Sequence, residues 1–217
     1  MRHVVKKKIQ GTAENLIPDT PTIFSLKEAA SDCKACDLWE NATQTVFGEG
    51  AKRAKVMFIG EQPGNDEDLK GHPFVGPAGR LLDQALEEAG IDRHQTYVTN
   101  VVKHFKWEPR GKRRIHKKPN STEIEACRPW LEAEIDTVRP KIIVCLGATA
   151  AQALFGKDFR VSKQRGQPIA SSLADLVMAT VHPSSILRAT DETREEEMEQ
   201  FIDDLKIVAD ALNKETK

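Results

Sequence analysis

The chain has 217 residues, 39% hydrophobic and 30% charged, with a formal net charge of -1 at pH 7. That length suits one substantial domain burying roughly 70% of its unfolded surface. No apolar run approaches the roughly eighteen residues of a spanning helix, and the basic start Met1 to Lys8 has no apolar core behind it, so a cytoplasmic protein without membrane contact is expected.

From Met1 to residue 24 the sequence is basic, then polar and Pro-containing, without a clear period; a loosely tied arm is expected there, followed by a single domain over 25–217. Ser25 is a candidate cap for a short helix through Ala30. Cys33 and Cys36 follow, at a spacing that lets both thiols reach one metal centre. Four cysteines in a reducing compartment are poor disulfide candidates, which leaves metal ligation or plain burial. Phe47-Gly48-Glu49-Gly50 reads as a turn, and Val56-Met57-Phe58-Ile59 as a buried strand. Gly60 to Arg80 is then a long Gly- and Pro-rich loop with an acidic turn inside it, leading to a helix that ends at Gly90. Tyr97 to Val102 reads as a second strand with Asn100 near its carboxyl end.

The segment Lys103 to Lys118 holds eight Lys or Arg against one acid, enough to neutralise several phosphates. Ser121-Thr122-Glu123-Ile124 opens a helix that carries Cys127 and Trp130 and stops before Pro140; Lys141 to Gly147 is a third buried strand, followed by a helix through Phe155. Leu176 to Val181 is a fourth strand, ending in His182-Pro183-Ser184-Ser185-Ile186-Leu187-Arg188, and an amphipathic helix from about Thr193 to Leu212 closes the chain. Strands alternating with helices imply an α/β fold: a central four-stranded, mostly parallel sheet flanked by helices in three layers. In such a sheet the strands' carboxyl ends share one edge. Glu61-Gln62, Asn100 with the basic loop, and His182 to Arg188 therefore converge on one cleft.

Taken together, Gly60-Glu61, Pro63-Gly64, Pro73-Phe74-Val75-Gly76, Ala78-Gly79, Asn100, His182-Pro183-Ser184 and the four cysteines resemble the iron-sulfur uracil-DNA glycosylases of family 4. The likeness runs from about Cys33 to Leu212. Two features depart from the ordinary family pattern and are similar to the UdgX proteins: Gln62 where Gly is usual, and the inserted Lys112-Arg113-Arg114-Ile115-His116. The resemblance implies a monomer acting on uracil-containing DNA, single strands included. It would excise uracil once and become linked to deoxyribose C1′ through His116. The ordinary family reaction, with water as the acceptor and repeated turnover, is the alternative, and a non-catalytic binding module the third reading.

The residues fit these roles chemically. Phe74 offers a stacking face, and the Asn100 amide presents the donor and acceptor that uracil O4 and N3–H require. His182 is suited to donate a hydrogen bond to O2 as negative charge leaves with the base. Glu61 is placed to orient the His116 imidazole, and Gln62 to hold either the loop or the uracil. Ile186, Leu187 and Arg188 form an apolar-then-cationic tip suited to fill the gap left by a flipped base, with Lys112, Arg113 and Arg114 as further DNA contacts. Phe74 plugging the core, a turn-shaping His182 and an ordinary phosphate contact at His116 are the plainer readings. For Cys33, Cys36, Cys127 and Cys145, all-thiolate coordination suits zinc as well; the resemblance favours a 4Fe-4S cluster in a structural role.

Overall fold

The structure, a computed structural model, describes residues 11–214. In chain order it contains α1 (Ile23–Ser31), β1 (Glu49–Gly50), β2 (Val56–Gly60), α2 (Asn65–Lys70), α3 (Pro77–Glu88), β3 (Thr96–Asn100), β4 (Trp107–Arg110) and β5 (Arg113–His116). The second half adds α4 (Ser121–Val138), β6 (Ile142–Leu146), α5 (Ala148–Phe155), α6 (Val161–Gln164), β7 (Leu176–Thr180), α7 (Pro183–Arg188) and α8 (Asp191–Lys214).

The central sheet has the order β1-β3-β2-β6-β7. The four expected strands are its parallel part, and β1 adds a fifth, antiparallel strand on the edge. That strand lies in the segment expected to be a turn. Gly50 permits it: its φ is 147°, and the Thr96 carbonyl and Tyr97 backbone occupy the space a side chain would need.

Side-chain alternation along β2 divides the molecule into layers. Met57 and Ile59 enter one core with Leu26 of α1, Trp130 and Leu131 of α4 and Ala150 of α5. Val56 and Phe58 enter the other with Leu82 and Leu86 of α3 and Phe201 and Leu205 of α8. The sheet is thus sandwiched between helices, each fully buried apolar side chain contributing about 1.5–3 kcal/mol relative to exposure.

Several boundaries move from their expected places. Part of the arm, residues 1–10, lies outside the described residues, whereas the remainder carries a 3-10 turn over Ala13–Leu16, with Ala13 buried, and then the first turn of α1. Thr22 caps α1, and Ser25 is the reciprocal third residue of the capping box: Thr22 Oγ1 accepts from the Ser25 amide at 3.1 Å and Ser25 Oγ from the Thr22 amide at 2.9 Å. The acidic turn is the helix α2, whose Glu67 reaches back to the Gly64 amide at 3.0 Å. The basic loop is a hairpin, β4 paired antiparallel to β5, turning at Gly111 with φ 61°.

Candidate active site

Gly60, Asn100, Leu146 and Thr180 end the four parallel strands on one edge of the sheet. The segments that follow line a cleft of about 910 Å³. Glu61, Gln62, Phe74, Asn100, His116, His182, Leu187 and Arg188 all border it, so the three sequence clusters do meet.

Asn100 closes β3 opposite Gly60. The residue is 3% exposed, and among the described residues its carboxamide has no hydrogen-bond partner. An unpaired amide bordering a cleft can offer both a donor and an acceptor to a ligand there. Gly60 makes room for it, since a Cβ there would collide with Asn100 Oδ1 and the Phe74 ring. Phe74 is held in the left-handed region at φ 56°, uncommon for a residue with a side chain, and its carbonyl packs on Gly79 of α3, where no Cβ would fit. The Glu67 carboxylate joins both glycine turns of this loop, accepting from the Gly64 amide at 3.0 Å and the Gly76 amide at 2.7 Å. Sequence reasoning missed Glu67; its signal was an acid three residues after Gly64, the spacing of a capping box.

His182 caps α7, its Nδ1 accepting from the Ser184 amide at 3.1 Å. That contact places the ring proton on Nε2, the nitrogen left to donate. Burial first, and then Arg188 and His116, push its pKa down to about 4, so the ring is neutral at pH 7.

His116 ends β5, and its Nε2 lies 3.4 Å from Glu61 Oε1. Burial lowers its pKa from the ordinary value; Glu61 opposes that shift, and Arg188 reinforces it. The other Glu61 oxygen accepts from the Thr149 hydroxyl of α5. Thr149 also escaped the sequence reading, although its place just beyond β6 puts it on the same sheet edge.

The hairpin that carries His116 is fastened to the cleft wall at two points. Gln62, 6% exposed, donates through Nε2 to the Lys106 and Lys117 carbonyls at 3.2 and 3.0 Å and accepts at Oε1 from the Lys106 amide at 3.1 Å. Its amide is spent on the base of the hairpin, not on a bound base. Arg114 supplies the second fastening: Nη1 lies 2.6 Å from the buried Asp68 carboxylate, Nε donates to Asn65 Oδ1 at 2.9 Å, and the guanidinium packs 5.4 Å from the Phe105 and Trp107 rings. Arg114 is therefore an internal anchor, contrary to its expected role on DNA. Lys112 and Arg113 are exposed and, among the described residues, unpaired.

The tip of α7 is also revised. Ile186 is 1% exposed and belongs to the core with Phe201 and Leu205, so it is no wedge. Leu187 is 39% exposed, and Arg188 beside it is exposed and borders the cleft.

All four cysteines are free and share the core between the sheet, α1 and α4. Two sulfurs already receive N–H donors: Cys33 from Trp130 Nε1 and Cys127 from the Lys103 amide, each at 3.3 Å. Burial raises Cys36 to about 11 and Cys127 and Cys145 to about 12. Cys33 acts electrostatically on Cys36, and both act on Cys127, whereas burial alone acts on Cys145. Among the described residues no three His, Cys, Asp or Glu side chains gather closely enough to hold an ion. The donor chemistry fits a thiolate-bound group, with N–H···S contacts of the kind that tune such groups.

Comparison with known proteins bears on this arrangement. Residues 47–206 match the family described as the uracil DNA glycosylase superfamily. The chain is similar to a type-4 uracil-DNA glycosylase of Sulfurisphaera tokodaii, at 41% identity over 76% of this chain and 76% of the relative. It is likewise similar to type-4 uracil-DNA glycosylases of Thermotoga maritima, at 42% identity over 75% and 82%, and of Archaeoglobus fulgidus, at 44% over 57% and 58%.

Proposed function

Given that the chain belongs to the uracil DNA glycosylase superfamily, with type-4 enzymes among its relatives, we propose that it excises uracil from DNA and captures the deoxyribose on His116 in a single turnover. The observation that supports capture is the seat of His116, an imidazole on an anchored hairpin 3.4 Å from Glu61 in the cleft that Asn100 borders. In the proposed reaction, uracil leaves the stack, its face against Phe74 and its Watson-Crick edge on the Asn100 amide. As the C1′–N1 bond breaks, its electron pair goes to the base, and His182 Nε2–H stabilises the charge arriving at O2. A ring nitrogen of His116 gives its lone pair to C1′. The ring's other proton passes to Glu61 or solvent, the departing uracil anion takes up one proton, and charges balance.

A monomer acting on uracil-containing DNA, single strands included, is the simplest form of this reading. Lys112, Arg113 and Arg188 would meet phosphates, and Leu187 would fill the gap left by the base. We assign Cys33, Cys36, Cys127 and Cys145 to a 4Fe-4S cluster, with zinc as the competing occupant; when bound it would supply a structural staple between the N-terminal segment and the sheet.

A second reading has specific support. The relatives' names say glycosylase, which fits repeated hydrolysis, with water in place of His116, better than it fits capture. Incubation with a uracil-containing single-stranded oligonucleotide, followed by denaturing electrophoresis, separates the cases. A heat- and detergent-stable protein-DNA band supports capture, abasic product without that band supports hydrolysis, and intact DNA removes both.

A further inference from the structure

A buried ion pair, Lys103 with Glu134, lies outside the lining of the cleft. The Lys103 side chain is 1% exposed and that of Glu134 is 0%. All three ammonium protons of Lys103 are engaged: by Glu134, by Thr99 Oγ1 at 2.7 Å and by the backbone carbonyl of Asn100 at 2.7 Å. Glu134 in turn accepts from Tyr97 OH at 2.8 Å, from Thr99 Oγ1 at 2.9 Å and from the Gly48 amide at 3.1 Å. Neither charged group borders the cleft, so neither can touch a bound base.

A buried ion pair is a poor source of net stability, because desolvation of both charges offsets their attraction. Its use here is better sought in what it holds. Asn100 is the last residue of β3, where the chain leaves the sheet and turns through Lys103. The ammonium folds back across that turn and takes the Asn100 carbonyl while gripping the neighbouring Thr99 hydroxyl. Glu134, fixed in turn by β3 and by the loop at Gly48, sets where the ammonium sits. The backbone that aims the unpaired Asn100 carboxamide is therefore tied to a charge that cannot move without breaking every contact in the group.

We propose that Lys103 and Glu134 are positioning residues that aim Asn100 at the base and so set the affinity for uracil. This rests on the base-reading role of Asn100. The test uses the double variant Lys103→Met/Glu134→Gln. It removes both charges and the donor to Asn100, while the new amide keeps an acceptor for Tyr97 and Gly48 and offers a donor to Thr99. In single-turnover assays the half-saturating concentration for a uracil-containing oligonucleotide should rise about tenfold, the scale on which small misplacements act. Binding to the same oligonucleotide without uracil should not change.

A Tyr97→Phe control, which removes one partner of Glu134 while leaving the Lys103 contacts to Glu134, Thr99 and the Asn100 carbonyl in place, should lower the melting temperature and shift half-saturation by less than the double variant. Should the double variant not fold, Thr99→Val removes one ligand of the ammonium and should raise half-saturation about threefold, in proportion to a smaller misplacement. Unchanged half-saturation in a folded Lys103→Met/Glu134→Gln or Thr99→Val protein, alongside a large rise for Asn100→Ala, would overturn the positioning role. If Asn100→Ala itself has no effect, the base-reading assignment falls, and the positioning role with it.

Discussion

Gln62 holds the Lys106 backbone on both sides of its Cα, accepting from its amide at 3.1 Å and donating to its carbonyl at 3.2 Å. With the further bond to Lys117, three hydrogen bonds of about 1 kcal/mol each fasten both strands of the hairpin beside Glu61. Gln62→Gly should therefore slow formation of the covalent band about 30- to 150-fold, the equivalent of losing two or three such bonds, while excision continues. Hydrogen exchange should show faster opening over residues 106–117. Unaltered exchange and crosslinking would remove Gln62 as the anchor.

Arg114 and Arg113 are neighbours with opposite expected phenotypes. Arg114→Ala leaves the Asp68 carboxylate buried and without its charged partner, and should destabilise the fold by about 3–5 kcal/mol. Arg113→Ala lies on the exposed strand face and should change stability by less than about 0.5 kcal/mol. If Arg113 meets a phosphate, the slope of log K against log salt should shrink by about one. Denaturant titration and DNA binding at several salt concentrations distinguish them.

Capture by His116 requires its neutral form, and its pKa lies below the ordinary 6.5. The crosslinking rate should rise with pH through a midpoint below that value and be level near pH 7; Arg188→Gln, by removing a nearby positive charge, should move the midpoint upward. His116→Ala should abolish the band at every pH. Stability has a related dependence. His104 and His182 are held at about 4 by burial, so the unfolded chain binds more protons than the folded one as pH falls from 6.5 to about 4. Folding free energy should drop across that window, and His104→Asn should flatten part of the drop in denaturation curves taken near pH 5 and pH 7.

The thiol assignment predicts a brown protein with broad visible absorbance that is lost on acid treatment, carrying iron and acid-labile sulfide in equal amounts. Cys127→Ser and Cys145→Ser should each weaken or abolish that absorbance. A colourless protein containing only zinc would replace the cluster with a simpler staple.

β2, β6 and β7 were legible as nearly unbroken apolar runs, and β3 from its β-branched and aromatic residues although Thr96, Thr99 and Asn100 interrupt the pattern. The shared edge followed from parallel topology, so Glu61, Asn100 and His182 could be grouped without coordinates. What escaped was whatever depends on a partner distant in sequence. Nothing near Arg114 announces Asp68, 46 residues away, and a guanidinium in a basic run looks the same whether it meets a phosphate or a buried carboxylate. Ile186 was misread because it lies buried on a six-residue helix that follows His182, where an apolar-then-cationic tip was expected. β1 is two residues long and pairs with a strand 47 positions later; that leaves almost no local pattern to find.

Both anchors of the hairpin, Gln62 and Asp68, come from the segment that begins with Glu61. The imidazole and the carboxylate it faces are thus mounted on mutually fastened parts, and thermal breathing of this corner should displace them together. Transplanting the Lys112 to His116 segment alone into a relative would import a ring without its mounting. The hairpin, Gln62 and Asp68 form one structural unit, and if His116 captures the sugar, a chimera is expected to do so only when all of these pieces travel together.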